Sequence, residues 1–282
     1  MEDRVETIGA GTVIQHGKFN DRIYLMKLEK GDCPDILEGL RSLARKEKYT
    51  KIFGKVPASA APLFFSDGDM MEAFIPGFFQ RREAAIFVSK YLDSDRLMEV
   101  ERTRLEELGK LLEHRAAVKE RKGTSRIRGR RVAIKPLDAS QADQVARIYQ
   151  EVFKSYPFPI HDPGYIARTM EENVRYFGVK RGGKIIALAS AEIDREGSNA
   201  EMTDFATLPD YRGNNLAQIL LKAMEKEMRK SGIQTLYTIA RLHSPAMNRT
   251  FLKQHYHYAG TLIRNTQIAG SVESMNVYYK HI

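Results

Sequence analysis

Residues 201–232 constrain the fold of this chain more than any other segment. Residues 200–207 mix apolar, β-branched and acidic side chains and are closed by Pro209, which predicts a short strand. From Leu216 onward apolar residues recur every three or four positions, as on one face of a helix, and Gly232 supplies a helix stop. A strand followed, after a short turn, by a helix is typical of α/β architectures.

The turn between this strand and helix has the composition of an anion-binding site. It consists of Arg212, Gly213, Asn214, Asn215, Leu216 and Ala217. Gly213 lets the backbone approach a ligand closely, and asparagine tolerates left-handed backbone geometry. Because the first N–H groups of a helix lack intrahelical acceptors, we predict that a pyrophosphate binds here with Arg212 as counter-charge. An ordinary turn with a surface arginine fits this hexapeptide equally well.

Length and composition narrow the class of protein. The chain has 282 residues, enough for two domains or one large one. Its single cysteine, Cys33, excludes an intramolecular disulfide and a multi-cysteine metal site, and no metal is expected. The sequence has neither an apolar run of membrane-spanning length nor a recognisable signal peptide, so we expect a cytoplasmic protein with no membrane partner.

The net charge of +9 raises the question of nucleic-acid binding. Residues 119–131 include seven basic residues and one acidic residue, so this segment alone carries +6 of the total. Its glycine and serine content favours a solvated interdomain linker. A nucleic-acid partner is therefore not expected, and attraction to RNA or to anionic CoA is the weaker alternative.

Two domains are predicted, residues 1–125 and residues 126–282. The first is a smaller α/β domain that ends in a long helix and the basic linker, with strand 22–28, helix 34–48, strands 51–56, 70–75 and 84–91, and helix 95–121. We identify no nucleophile, metal cluster or phosphate loop in its sequence. The role of this first domain stays open.

The two predicted domains share a weak internal repeat in the order of their elements. The strand, helix, strand order of one segment set repeats in another: 50–56, 58–65 and 85–91, then 235–240, 244–254 and 275–281. Half of a degenerate copy of the second domain would produce this order. Because strand–helix alternation is common and residue identity is slight, chance is the favoured interpretation.

The second domain has a readable order of elements. The predicted elements are strand 131–136, helices 139–153 and 162–172, hairpin strands 174–180 and 184–193, the strand–turn–helix unit, strand 235–240, helix 245–254, and strands 258–263 and 275–280. Asp138 is predicted to cap the first of these helices.

This order of elements resembles the GNAT superfamily of N-acetyltransferases, and residues 208–217 resemble its acetyl-CoA-binding motif. Arg212 and Ala217 match the ends of that motif, whereas Asn215 stands where the motif has glycine. The resemblance implies an α/β (α+β) fold with a mixed sheet flanked by helices, acetyl-CoA as co-substrate and a small-molecule amine as acceptor. The implied cofactor contacts are Phe205, Ala206, Thr207, Arg212, Gly213, Asn214, Asn215, Leu216, Ala217 and Asn248.

Acetyl transfer to an amine requires a base for the ammonium proton, a donor to the thioester oxygen and a proton for the leaving thiolate. By resemblance, Glu201 takes the position of the glutamate base, although a strand carboxylate is more often a paired or solvated group. The tyrosine that commonly protonates the thiolate aligns with Phe251. Tyr256 and Tyr258 are the nearby tyrosines that could replace it, and Tyr256 is the predicted acid, although aromatic packing is the ordinary role of both.

Longer strings resemble β-lysine N6-acetyltransferases within this superfamily. They are residues 156–159, 187–194, 199–207, 237–241 and 273–280, together with 74–79 and 90–93. The resemblance implies acetyl transfer to the N6 amine of β-lysine, a step in compatible-solute synthesis. That acceptor carries two ammonium groups and one carboxylate, so its pocket needs acidic groups and cationic or amide donors.

Five residues form the predicted pool of acceptor contacts. Asp204 and Glu273 are available for ammonium, Arg241 and Asn276 for carboxylate, and Tyr156 for the methylene chain. Two other classes stay open: a GNAT enzyme for another small diamine, amino acid or protein lysine, and a non-catalytic acetyl-CoA-binding or RNA-binding protein. The oligomeric state is not predicted.

Overall fold

The computed structural model describes residues 3–98, 101–113, 126–127 and 130–282. The strands are β1 (Arg4–Ile8), β2 (Thr12–Gly17), β3 (Arg22–Lys27), β4 (Lys51–Pro57), β5 (Met70–Phe79), β6 (Glu83–Tyr91), β7 (Arg126–Ile127), β8 (Arg130–Arg131), β9 (Ala133–Leu137), β10 (Val174–Arg181), β11 (Lys184–Asp194), β12 (Asn199–Thr207), β13 (Thr235–Arg241), β14 (His257–Ile268) and β15 (Ser271–His281). The helices are α1 (Ile36–Glu47), α2 (Ala61–Ser66), α3 (Ser94–Met98), α4 (Arg102–Glu113), α5 (Ala142–Val152), α6 (Pro163–Glu171), α7 (Leu216–Lys230) and α8 (Pro245–Lys253).

The order of elements predicted for the second domain is confirmed. The carboxylate of Asp138 accepts a hydrogen bond from the Ser140 N–H (3.0 Å), and it caps the helical turn that leads into α5. The predicted linker, residues 119–131, lies mostly outside the described residues, although β7 and β8 pair within it. The predicted boundary between residues 125 and 126 therefore stays a prediction.

The predicted long helix 95–121 is wrong, because the described part of it contains two helices, α3 and α4. Glu101, just before α4, is not helical. Its carboxylate instead accepts hydrogen bonds from the Ser274 N–H (3.1 Å) and from His243. These long-range contacts override the local helix propensity. Residues 114–121 lie outside the described residues. The hairpin of β1 and β2 was not predicted.

Thirteen of the described strands form one mixed sheet. Their order is β1-β2-β3-β4-β6-β5-β14-β15-β13-β12-β11-β10-β9. The pairs β3–β4 and β12–β13 are parallel, and the remaining neighbours are antiparallel. Among the described residues, none of the helices has the length and apolar character needed to cross a bilayer.

The sheet contains one strand arrangement twice. In the N-terminal half (residues 3–98), β3 pairs in parallel with β4, β4 pairs with β6, and β6 pairs with β5. In the C-terminal half (residues 130–282), β12, β13, β15 and β14 pair in the same order and directions. A helix connects the parallel strands of each half, α1 in one and α7 in the other. The repeated order of elements in the sequence thus corresponds to a structural repeat, and its interpretation as chance is wrong.

The registers of the two halves also correspond. Equivalent pairs are Arg22 with Lys51 and Asn199 with Thr235, then Lys51 with Tyr91 and Thr235 with His281. The residue before each first strand has a left-handed backbone, with φ of 50° at Asp21 and 52° at Ser198. Agreement in pairing, register and strained backbone indicates that the N-terminal half is a degenerate copy of the second fold.

The two halves join at Ala73 of β5 and Gly260 of β14, which lie opposite each other. These residues occupy equivalent places, one opposite Phe87 and the other opposite Val277. Gly260 has φ of 150°, and a Cβ at this position would lie 2.0 Å from the Glu72 carbonyl oxygen. Only glycine permits so close an approach of the two strands.

Helices α1, α2, α7 and α8 cover the outer face of the sheet. The inner face is covered partly by α5 and α6, which pack on β10, β11 and β12, and partly by the contact between the two halves. Helices α1 and α2 pack on apolar residues of the N-terminal half, and α7 and α8 pack on β11, β12 and β13. On the inner face, Phe53, Phe78 and Phe87 form one core with Tyr237 and Val277 of the other half. Because side chains alternate along a strand, residues of β4 meet those of β12 and β13 across a cleft between the halves.

Arg96 of α3 connects the two halves. Its side chain is 7% exposed. The guanidinium donates to the carbonyl oxygens of Asn20 (3.1 Å), Asp21 (2.5 Å) and Arg264 (2.9 Å), and to the Thr50 hydroxyl (2.7 Å). A buried guanidinium with this many acceptors is a strong cross-link, because its loss leaves several buried acceptors without a donor.

We expect Arg96→Ala to lower the free energy of unfolding by about 2–4 kcal/mol, the range for breaking a buried charged hydrogen-bond network. Chemical denaturation followed by circular dichroism measures this loss. Arg104→Ala is the matched control, because the Arg104 side chain is 42% exposed and pairs with Glu107 three residues away. That change is expected to cost less than about 1 kcal/mol. Equal losses in the two variants would contradict the cross-link.

Candidate active site

The parallel strands at the centre of the C-terminal half separate and leave a wedge. Both strands lie within the described residues, and their pairing ends where Glu201 lies opposite Tyr237. Strand β12 nevertheless continues to Thr207 and β13 to Arg241. The β12 backbone beyond Glu201 is therefore not paired with β13, and its polar groups are available to an extended ligand with amide groups.

The predicted anion-binding turn lies at the end of β12. Gly213 (φ 78°) and Asn215 (φ 57°) both have left-handed backbones, as their residue types predict. The Asn214 side chain donates to the carbonyl oxygens of Tyr211 (3.0 Å) and Arg212 (3.2 Å) and so braces the turn.

The accessible groups of this turn fit an anion. Arg212, Gly213 and Asn215 are exposed, and nothing lies within 4 Å of where a Cβ of Gly213 would stand. The 15-residue helix α7 begins directly after them, so its first N–H groups are aimed at this open space. Arginine, open backbone and helix N-terminus together suit the pyrophosphate of CoA. By contrast, Ala206 and Leu216 are 1% and 2% exposed and belong to the core.

Asp204 lies in a bulge of β12 and has φ of 55°. Its carboxylate accepts hydrogen bonds from the hydroxyls of Ser190 (2.5 Å), Thr203 (3.2 Å) and Tyr156. Burial raises the pKa of Asp204, and these three donors oppose the rise. The structure brings the predicted pair Asp204 and Tyr156 together, but the contact is with each other. A carboxylate with three hydroxyl donors holds the bulge in place and is not a free ammonium ligand.

Glu201 lies at the apex of the wedge and faces the cleft between the halves. It is directly opposite Glu192 of β11 on one side and Tyr237 of β13 on the other. Burial and the Glu192 carboxylate raise the pKa of Glu201 to about 8, against the opposing effects of Lys55 and Tyr237. Glu201 keeps partial exposure to the cleft. A carboxylate with a pKa near neutrality is a better general base than an ordinary one.

Asn248 is 2% exposed, and its amide is fully engaged inside the protein. It donates to the carbonyl oxygens of Arg241 (3.0 Å) and Ser244 (2.8 Å), and it accepts from Asn276 (2.8 Å) and Tyr278 (2.8 Å). The predictions that Asn248 binds pantetheine and Asn276 binds the acceptor carboxylate are therefore contradicted. Both amides satisfy buried polar groups that would otherwise be unpaired.

Arg241 and Glu273 form a bidentate ion pair with distances of 2.9 Å and 2.6 Å. The Glu273 side chain is 5% exposed and that of Arg241 is 30% exposed. Each charge therefore already has a partner, and Glu273 is closed to a ligand. The predicted ammonium role of Glu273 is contradicted, whereas Arg241 keeps an accessible edge.

Tyr256 has no exposed surface, so it cannot reach a thiolate bound in the wedge. Its ring packs on Phe251, and its hydroxyl faces Glu225, in the C-terminal part of α7 and away from the turn. Burial raises the pKa of Tyr256. The prediction that Tyr256 is the general acid is contradicted. Tyr258 is half-buried, and its hydroxyl is hydrogen-bonded to that of Thr261 (2.6 Å).

Sequence reasoning missed three residues of the cleft: Lys55, Glu192 and Tyr237. Glu192 and Tyr237 lie inside strings that resemble the family, without a role assigned to either. The signal for Lys55 was a charged residue among the apolar positions of a predicted strand, in a region where no site was expected. The described residues contain no group of three or more His, Cys, Asp or Glu that could hold a metal ion.

A wedge of this kind can hold the arm of a long nucleotide thioester, with its diphosphate on a helix N-terminus and its reactive end beside a carboxylate. This layout defines an α/β acyltransferase that uses an acyl-CoA. The chain belongs to the acetyltransferase (GNAT) family, whose model matches residues 145–256.

Relatives extend the similarity over the N-terminal half. The chain is 36% identical to the β-lysine N(6)-acetyltransferase of Methanococcus maripaludis, over 95% of this chain and 96% of that protein. It is 31% identical to the N-acetyltransferase YodP of Bacillus subtilis over the whole of both chains. Among solved structures, the ribosomal-protein-S18-alanine N-acetyltransferase of Escherichia coli covers 54% of this chain and 94% of its own, with 20% identity and a TM-score of 0.48.

Proposed function

We propose that this acetyltransferase moves an acetyl group from acetyl-CoA to the N6 amine of β-lysine. The observation that carries the proposal is the 36% identity to an enzyme named for that reaction, because it spans both halves and so includes the whole cleft. The cleft itself supports a cationic acceptor. Glu192 is exposed in it beside Glu201, and like-charged carboxylates directly across two strands attract cations strongly.

In this proposal, the chain's own residues perform three tasks. The turn at Arg212 and Gly213 and the start of α7 bind the diphosphate. Unpaired backbone N–H groups of β12, beyond Glu201, bind the pantetheine arm and donate to the thioester oxygen. The bulge at Asp204, held by its hydroxyl donors, sets where these N–H groups point.

Glu201 accepts a proton from the acceptor ammonium, directly or through one water, and so creates a neutral amine. Acetyl-CoA supplies the activated acetyl group. The new C–N bond forms as the C–S bond breaks, and the thiolate takes up one proton. Of the two tyrosines considered for that proton, Tyr258 is the accessible one. Glu192 holds the second ammonium of the diamine, and Arg241, whose side chain is 30% exposed, binds the carboxylate of the acceptor.

An amine panel tests the acceptor. We expect β-lysine to give the highest kcat/KM among β-lysine, α-lysine, ornithine and a lysine-containing peptide, because two carboxylates favour a compact dication over a single amine. Mass spectrometry of the products identifies the acetylated nitrogen. Preference for another diamine or for the peptide would refute the acceptor, and binding of acetyl-CoA without any product would indicate a sensor.

A further inference from the structure

Lys55 reaches the acetyltransferase site from the opposite half of the molecule. It lies on β4, whose inner-face side chains point into the cleft. Its Nζ donates a hydrogen bond to the Tyr237 hydroxyl over 2.8 Å and lies 4.6 Å from the centre of the Tyr237 ring. The Phe78 ring, at 5.0 Å, covers it from the N-terminal side. Lys55 is therefore held in one place by contacts from both halves.

In the contact between Lys55 and Tyr237, only Lys55 can be the hydrogen-bond donor. An ammonium group can only donate, so the Tyr237 oxygen accepts from Lys55 and its own proton must point elsewhere. The carboxylate beside it is that of Glu201, which lies opposite Tyr237 on the neighbouring strand. The Lys55 ammonium therefore directs the Tyr237 proton away from itself, toward the side on which Glu201 lies.

Several ionisable groups face Glu201 from the elements packed against it. They are Glu192 on β11, Asp204 on β12, Tyr237 on β13, Lys55 on β4, Tyr24 on β3 and Tyr156 before α6. Glu192 and Asp204 both disfavour an ionised Glu201, whereas Lys55 favours it. Among the described residues that act on Glu201, Lys55 is the cation that offsets the two carboxylates.

The N-terminal half has no equivalent cofactor site of its own among its described residues. Four residue pairs join β3 to β4, so the strands do not open until after Leu25 and Gly54. The turn that follows β3 contains Asp32, whose carboxylate accepts from the N–H groups of Ala10 (2.6 Å) and Thr12 (3.1 Å). A carboxylate at this place repels a diphosphate. The degenerate copy keeps its sheet and loses its ligand, which leaves its inner face free for another task.

We propose that Lys55 is a positioning residue of the acetyltransferase: it orients the Tyr237 hydroxyl and holds a positive charge beside the Glu201 and Glu192 carboxyl groups. The inference rests on the proposed role of Glu201 as the base. It gives the degenerate half a catalytic task, because the isolated C-terminal fold lacks this cation.

The test is the pH dependence of kcat/KM in full-length Lys55→Met. Without the cation, Glu201 keeps its proton to a higher pH. The acidic limb of the pH profile, where kcat/KM rises as the base loses its proton, is therefore expected to shift to higher pH by about one unit. Activity at pH 7 then falls about tenfold and recovers at alkaline pH, since one pH unit is a tenfold change in the ionised fraction. Lys55→Arg keeps the charge and is expected to keep the limb within about 0.3 unit.

Two further variants separate this role from a structural one. Lys90→Met is the matched control, because Lys90 is a half-buried lysine of the same half that pairs with Asp67. It is expected to leave the limb unmoved, whatever its effect on stability. Tyr237→Phe removes the hydroxyl between Lys55 and Glu201. It is expected to move the acidic limb of the pH profile in the same direction as Lys55→Met.

The outcomes distinguish this inference from the proposed function. If Lys55→Met loses activity equally at all pH values, or keeps the wild-type limb, Lys55 does not position the base, while an inactive Glu201→Gln would still uphold the base itself. If Glu201→Gln remains active, the base assignment falls and the role of Lys55 falls with it. Circular dichroism and the melting temperature establish that each variant is folded.

Discussion

Glu201→Gln is expected to lower kcat by about 100-fold or more, the range for loss of a positioned general base. Glutamine keeps the shape of the side chain, but it cannot take the ammonium proton. The binding of acetyl-CoA should change little, because the diphosphate site at Arg212 lies at the other end of β12. Single-turnover kinetics with isothermal titration of acetyl-CoA separates the two effects.

Stability provides a second readout for the same variant. The folded-state pKa of Glu201 is about 8, above the ordinary value of 4.5, so folding binds this proton more tightly. The resulting stabilisation is complete below pH 4.5 and is lost as the pH rises through 8. Glu201→Gln has no such proton, so its free energy of unfolding does not fall in this way. We expect the difference in unfolding free energy between the variant and the wild type to change by about 1 kcal/mol in favour of the variant from pH 6 to pH 9, allowing for the partial exposure of Glu201.

Glu196→Gln is the matched control, because Glu196 is exposed in the turn between β11 and β12, and its salt bridge to Lys27 spans 3.6 Å. It should leave kcat and the pH dependence of stability unchanged. A Glu201→Gln enzyme with wild-type kcat would refute the assigned base. If Glu201→Gln is inactive but its unfolding free energy does not rise relative to the wild type at high pH, the Glu201 carboxylate lies in a more polar environment than the cleft described.

Gly213→Ala is expected to raise the dissociation constant of acetyl-CoA about tenfold. Left-handed geometry costs an alanine about 1–2 kcal/mol, and a tenfold change in affinity corresponds to about 1.4 kcal/mol. Gly213 has φ of 78°, and the turn is exposed, so it can relieve the strain by leaving the anion-binding geometry. Titration with acetyl-CoA measures the change directly.

The chain offers a close control for this strain. Gly183, at the tip of the β10–β11 hairpin, has φ of 79° and, like Gly213, has nothing within 4 Å of the place that a Cβ would occupy. Gly183→Ala should lower the melting temperature about as much as Gly213→Ala while leaving acetyl-CoA affinity at the wild-type value. A similar loss of affinity in both variants would mean that strain acts globally, and the turn would lose its assignment as the diphosphate site.

Local chemistry made much of the C-terminal half predictable. The strand–turn–helix unit, the left-handed backbone of Asn215 and the cap at Asp138 depend on residues within a few positions of each other. The resemblance added the family and the place of Glu201. It was less successful with Asn248 and Tyr256, because a side chain's position in a motif does not reveal whether its polar atoms are already engaged or enclosed.

The sequence by itself determined the elements of the C-terminal half and the backbone geometry of the turn at Gly213, since these follow from short-range spacing, and its resemblance to known strings indicated the family. Only the tertiary structure decided that the N-terminal half is a repeat, that Asp204 and Glu273 already have partners, and that Lys55 meets Tyr237. These facts depend on strand order and register between residues far apart in the chain. Burial then sets the charge on Glu201, because the free energy of an ion depends on what surrounds it and not on its neighbours in sequence.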